Sequence, residues 1–317
     1  MSTLMENGLF EFEGTTYKAS NHMAILRNLR NIFTAGVSKK HADKILLALK
    51  AGVKDGKQFP FRYYTAHEVI STTPGVNHKP QILDALEECI DLARENMPKL
   101  KGKTISLSDN SGSAWGSFNS EYGSVTVAEI DNLSSVITGQ NSEEGYIGVF
   151  GDRLDVQPVS KRNGALAQAK EAGKRGQRIG GGTENGIWLF FDNAIKNKEH
   201  WDNIFIYSDQ QAGHGGLYGT QSESARYTQA GFAANDGWGT NYIDVMKLIE
   251  AYRKEVNPKV NIFTVQTGGY NNVTISENAY RTSVLAGWTG KESVYADYMI
   301  NFWDEKEAQK ATNKSQN

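Results

Sequence analysis

The sequence predicts an α/β unit, a mainly parallel sheet with helices on both faces, preceded by a run of short helices. From residue 104 onward, short apolar runs of strand character alternate with amphipathic helical segments. That alternation is the pattern of βαβ units and a parallel sheet. Before about residue 100, apolar residues recur at helical spacing, with turn signals between the segments. A content of 22% charged and 39% hydrophobic residues is that of a globular chain, neither disordered nor fibrous.

Each element has its own warrant. His22 to Phe33 places Met23, Leu26, Leu29, Ile32 and Phe33 at helical spacing, and Ala42 to Leu49 repeats this through Ile45 and Leu46 before Gly52 stops it. Phe59-Pro60-Phe61 marks a break, because proline disfavours helix in the residue before it. A third helix is expected from about Arg62 to Ile70. After Pro74, Gly75 and Pro80, Gln81 to Glu95 forms a strongly amphipathic fourth, with Cys89 as a small core residue. Short helices joined in this way resemble a helical-repeat array. Beyond Pro98 and Gly102, strands are expected at Thr104–Leu107, Gly145–Phe150, Asn203–Ser208, Val260–Gln266 and Thr282–Ala286. Helices are expected at Ser124–Ile137, Thr183–Lys196, Tyr242–Val256 and Glu292–Trp303. The resulting division is a helical segment at 1–100, the sheet unit at 101–304 and a flexible polar tail at 305–317.

No apolar run approaches the roughly 18 residues of a membrane span. The N-terminus is acidic where a secretory leader would be basic and apolar. A single cysteine allows no intrachain disulfide and fits a reducing compartment. A soluble, cytoplasmic protein is the expectation. The net charge of −2 conceals an asymmetry, since residues 1–103 carry 15 Lys/Arg against 11 Asp/Glu while the remainder is acidic. Within residues 18–62, ten basic residues face two acidic ones. A local excess of that size attracts phosphate, although a solvated helical face gives the same pattern.

The chemistry concentrates in Asp109-Asn110-Ser111-Gly112-Ser113, at the C-terminal end of the first long strand of the sheet. In a tight turn, residues i, i+2 and i+4 aim one carboxylate and two hydroxyls at one point. A hard cation such as Mg²⁺ takes oxygen ligands of this kind in near-octahedral geometry. Two further oxygens stand at the tops of later strands: Thr183, after Gly180-Gly181-Gly182, and Asp209, after Ile204-Phe205-Ile206-Tyr207-Ser208. Asp152 and Asp155 also lie near a strand end, with neighbours that suggest a solvated hairpin or loop.

This five-residue set resembles the metal-ion-dependent adhesion site of von Willebrand A domains, whose fold is the Rossmann-like sheet described above. The resemblance extends further. Leu26-Arg27-Asn28-Leu29 within AILRNLRNIF, the Phe59-Pro60-Phe61 helix start, the helix ILDALEECIDLA, Gly102-Lys103 leading to the Asp109 motif, and the closing VLAGWTGKESVYADYMINF occur in an order similar to the C-terminal part of the Ro (TROVE) family. That family implies HEAT-like helical repeats joined to a von Willebrand A domain, and binding of small non-coding or single-stranded RNA. It implies Mg²⁺, or another divalent cation, at Asp109, Ser111, Ser113, Thr183 and Asp209. Arg27, Arg30, Lys39, Lys40 and Lys44 are the candidate RNA contacts, and the metal site is open to a protein ligand. About 100 helical residues are fewer than a closed ring of repeats requires, so the expectation is a C-terminal piece or a shortened relative without a ring. The strand Thr104-Ile105-Ser106-Leu107-Ser108 is also more polar than a buried central strand should be.

Residues 210–240, rich in glycine and carrying Tyr218, Tyr227, Phe232 and Trp238, read as a long loop at the metal face. Such loops are often functional, and their aromatics stack on bases, meet a partner or anchor the loop. Trp115 is placed to rim the site. Hydrolase chemistry is not supported: Ser111 and Ser113 lack a nucleophile elbow, and the glycine run lacks the Lys-Ser/Thr of a phosphate-binding loop. His214 reads as a solvated loop histidine, and no His/Cys spacing suggests zinc. The expected function is a non-catalytic RNA-binding protein with a metal-dependent adhesion site. The alternative is an adhesion or assembly module without RNA binding.

Overall fold

The structure is a computed structural model that describes residues 9–12, 15–18, 22–117, 125–182, 184–209, 228–235, 241–268, 279–288 and 290–315. The chain divides into two compact units, residues 1–97 and 98–317.

In the first unit, a short antiparallel pair, β1 (Leu9–Phe12) and β2 (Thr15–Lys18), precedes five helices. These are α1 (His22–Thr34), α2 (Lys39–Ala51), the single turn α3 (Val53–Gly56), α4 (Pro60–Thr72) and α5 (Lys79–Arg94). The helical spacing in the sequence becomes the buried stripe of each helix: Leu29 and Phe33 of α1, Ile45 and Leu49 of α2, Ile82, Leu86 and Ile90 of α5. Proline occupies the first turn of both α4 and α5, where its missing N–H costs nothing. The Lys79 ammonium donates to the carbonyls of Ser71 and Thr73 at 3.0 and 2.7 Å, so the start of α5 caps the end of α4. Cys89 is fully buried, and burial pushes its thiol up to about 12, which leaves it chemically inert.

The second unit is built on a six-stranded sheet. Its strands are β3 (Leu100–Asp109), β4 (Ser142–Phe150), β5 (Leu154–Pro158), β6 (Asn203–Ser208), β9 (Asn261–Gln266) and β10 (Thr282–Ala286), in the order β10-β9-β6-β3-β4-β5. All neighbours are parallel except β5, which returns antiparallel to β4 at one edge. β3 lies between β4 and β6, so the C-terminal ends of the two strands bearing Asp109 and Asp209 are adjacent. The helices are α6 (Val127–Gln140), α7 (Ala165–Gly176), α8 (Glu184–Lys196), α9 (Val245–Glu255) and α10 (Glu292–Ser315). α8 and α9 cover one face with Trp188, Phe191, Leu248 and Tyr252, packed on Ile105, Leu107, Ile204 and Ile206. α10 covers Phe205, Phe263 and Val265 on the other face.

The polar character of β3 has a physical reason. Ser106 and Ser108 are completely buried on the face covered by α6, where the Ser108 hydroxyl donates to Asn132 at 2.8 Å. Small side chains there let a helix with its own polar inner face approach closely. α6 starts at Val127 behind a capping box, with Thr126 and Glu129 exchanging hydrogen bonds.

Four expectations need correction. Residues 165–176, where the apolar spacing predicts no element, form α7. Tyr242 and Ile243 are not helical but lie in β8 (Asn241–Ile243), antiparallel to β7 (Ala233–Asn235), and α9 begins only after the Asp244 side chain accepts the Lys247 amide. Within the expected loop at 210–240, Ala233–Asn235 are therefore strand. Phe232 packs on Trp188 at 5.5 Å between ring centroids, which anchors its segment to the core; Tyr218, Tyr227, Trp238 and His214 lie outside the described residues.

The fourth correction is the tail expected to be flexible from residue 305, which is helical to Ser315. Its polar residues clamp it to the sheet. Glu307 takes Lys259 at 2.8 Å, the Tyr280 hydroxyl and Arg281 at 3.0 Å, while Arg281 also reaches Asp304 at 2.7 Å. Lys259 first, then Tyr280 and Arg281, hold the Glu307 carboxyl down to about 2. Because its folded value lies below the ordinary one near 4.5, Glu307 contributes stability above that pH and loses it as pH falls toward 2. After allowance for solvent screening at this surface, Glu307→Gln is expected to cost about 1–2 kcal/mol at pH 7 in denaturant titrations. The difference from the parent chain should vanish near pH 2.

Candidate metal centre

Asp109 ends β3 and is fully buried. One carboxylate oxygen accepts the Ser111 amide at 2.8 Å and the other the Ser208 hydroxyl at 2.6 Å. Asp209 follows β6 directly and is 2% exposed. Burial first, then repulsion from Asp209, pushes the Asp109 carboxyl well above the ordinary carboxylate range. A cation seated between the two carboxyl groups would offset both the burial and the repulsion. The Ser111 and Ser113 hydroxyls lie 3.1 Å apart. Adjacent oxygens of an octahedron with Mg–O of 2.0–2.1 Å are about 2.9 Å apart, so the two hydroxyls suit neighbouring coordination positions. The donor set therefore fits a hard divalent cation. Thr183 lies outside the described residues.

The turn that carries these groups is held by residues the sequence reading left without a role. Asn110 and Asn132 form a reciprocal amide pair, each Nδ2 donating to the other's Oδ1 at 3.0 Å, and the Asn110 amide nitrogen also reaches the Ser108 carbonyl. Gly176, the last residue of α7, sits so close that a Cβ there would lie 1.9 Å from the Asn110 side-chain oxygen. The Gly112 amide donates to the Gly181 carbonyl at 3.0 Å, which joins the two loops of the site. Asp152 lies in the turn of the β4–β5 hairpin, as expected of a hairpin or loop, and there accepts the Gly182 amide at 2.8 Å. It lies where a Cβ on Gly180, whose φ is +96°, would clash at 2.1 Å. Trp115, expected at the rim of the site, packs with Ala114, Val127 and Ala128 and against Gly173 of α7.

In the helical unit, Arg27, Arg30, Lys39, Lys40 and Lys44 are all exposed. The structure brings two of them together. Arg27 and Arg30 of α1 line a groove of about 280 Å³ with Arg62 of α4, over a floor that includes Leu26, Ala66 and Val69. Lys39, Lys40 and Lys44 lie on α2 and do not line it. Arg62, the last basic residue of the 18–62 stretch, stacks over its neighbour Phe61 at 4.9 Å from the ring centroid. Its spacing to Arg27 gives no signal in the sequence, because the two meet only through the packing of α4 on α1.

Residues 20–102 match the model of the TROVE domain family. The match spans the helical segments with AILRNLRNIF and ILDALEECIDLA, and ends before the Asp109 motif. The chain is also similar to the crystal structure of Deinococcus radiodurans RO (RSR) protein, with a TM-score of 0.64 and 15% sequence identity. The likeness covers 89% of this chain and 53% of that one, so the chain spans about half the length of the Ro protein it resembles. At this identity the likeness is one of fold, that of helices and an α/β unit with a mainly parallel sheet.

Proposed function

We propose that this protein is a non-catalytic RNA-binding protein of the Ro type, with a divalent-metal adhesion site in its α/β unit. The observation that carries the reading is the gathering of Arg27, Arg30 and Arg62 along one groove of the TROVE unit. Guanidinium groups pair with phosphate through parallel hydrogen bonds, and three along one groove form a track for a single strand. In the α/β unit, Asp109 and Asp209 supply charge to the cation, and Ser111, Ser113 and Thr183 complete the oxygen shell. An open coordination position then takes a partner's carboxylate or a phosphate. No helix among the described residues is long and apolar enough to cross a membrane.

The test is a titration with a fluorescent single-stranded RNA. Three phosphate contacts on a single strand give an affinity that falls about 20-fold between 50 and 200 mM salt. Alanine at Arg27, Arg30 and Arg62 together should weaken binding at low salt and flatten that dependence, while Asp109→Ala leaves both unchanged. An affinity indifferent to salt and to the three arginines would overturn the RNA reading. It would favour instead an adhesion or assembly module that works through the metal face.

A further inference from the structure

Behind the Asp109–Asp209 pair lies a third buried carboxylate. Asp131 sits on α6, one residue before the Asn132 that braces the metal-site turn, and is completely buried. Among the described residues neither of its carboxylate oxygens has a hydrogen-bond partner. The Thr267 side chain stands beside it without closing a hydrogen bond of ordinary geometry. Thr267 in turn donates its amide to the Ser208 carbonyl at 3.0 Å, next to Asp209. Asp109 and Asp209 both act electrostatically on Asp131, and no lysine, arginine or histidine is among the groups that do. A buried carboxylate with neither a hydrogen bond nor a counter-charge is costly, and proteins ordinarily pair such groups or place a metal against them.

We propose that Asp131 and the Thr267 hydroxyl hold a second divalent cation, in a separate position between α6 and the strand ends at Asp209 and Thr267. The position is separate because, among the described residues, no three His, Cys, Asp or Glu side chains converge on a single ion. Charge balance supports two ions. Once metal binding ionises all three carboxyls, one divalent cation leaves the interior with one negative charge, and two leave one positive charge. An acidic group of a partner at the open coordination position of the first ion would neutralise that charge. The inference rests on reading Asp109 and Asp209 as ligands of the first ion.

Equilibrium dialysis of the full chain with Mn²⁺ separates the two. Two ions per chain are expected for the parent, one for Asp131→Asn, and a second ion weakened about tenfold or more for Thr267→Val. Asp131→Asn is nearly isosteric and removes an unpaired buried charge, so its melting temperature in EDTA should not fall below that of the parent. One ion bound with equal affinity by the parent and by Asp131→Asn would overturn the second position and leave the first intact. No bound ion in either protein at millimolar Mn²⁺ would overturn the reading of the Asp109 site as well.

Discussion

Gly145→Ala is expected to destabilise the α/β unit by about 3 kcal/mol or more, read as a shift of its transition in denaturant titrations. Gly145 lies on β4, on the face covered by α6, and a Cβ built there would be 1.9 Å from the Gly139 carbonyl oxygen and 2.5 Å from the Gly139 Cα. The obstacle is helix backbone, so no side-chain rotation relieves it. Gly139 has no room to recede, because a Cβ in its own position would already meet Val159 at 2.7 Å. α6 must therefore move off the sheet at its C-terminal turn, and the whole buried helix moves with it. Near its N-terminal end α6 carries Asn132, bonded to Ser108 and Asn110. The same substitution should thus loosen the Asp109 turn, and cation-induced stabilisation of the variant should shrink along with its stability. A variant as stable as the parent would mean that α6 does not pack on β4 through these glycines.

What the sequence makes legible follows from how each element stabilises itself. β6 and β9 are apolar on both faces and helices α1, α2 and α5 carry wide apolar stripes, so strand and helix are plain from periodicity. Asp109 and Asp209 are legible for a related reason: each ends a recognisable strand, and parallel strands bring such ends together. α7 was missed because its buried stripe is made of small residues, Ala165, Ala169, Ala172, Gly173 and Gly176, with Leu166 the one large apolar member. Small residues carry little hydrophobic signal, yet they allow the close approach that seats the helix against Asn110. The ordered end of α10 was equally hidden. Its clamp joins Glu307 to Lys259, Tyr280 and Arg281, a contact that exists only once β9, β10 and the helix are assembled. Asp131 escapes a sequence reading in the same way, since an aspartate between Ile130 and Asn132 looks like an exposed helical position until the sheet covers it.

Gly176→Ala separates the ligands of the proposed metal site from the frame that aims them. The added methyl would meet the Asn110 side-chain oxygen at 1.9 Å, and its carbon at 2.4 Å. Asn110 is buried and bonded on both sides of its amide, so turning it away breaks the reciprocal pair with Asn132 and leaves two buried amide groups unsatisfied. Asn110 lies between Asp109 and Ser111, and its backbone amide is fixed to the Phe150 carbonyl at 2.8 Å. A shift at Asn110 therefore tilts the carboxylate and the first hydroxyl relative to each other. Supporting residues of this kind change metal affinity about 10- to 100-fold when removed. Calorimetric titration with Mg²⁺ or Mn²⁺ should show a loss in that range for Gly176→Ala, with every proposed ligand still present and the RNA affinity proposed for the helical unit unchanged. An affinity within twofold of the parent would mean that the turn holds its shape without the Asn110–Asn132 pair, and that the cation itself organises its ligands.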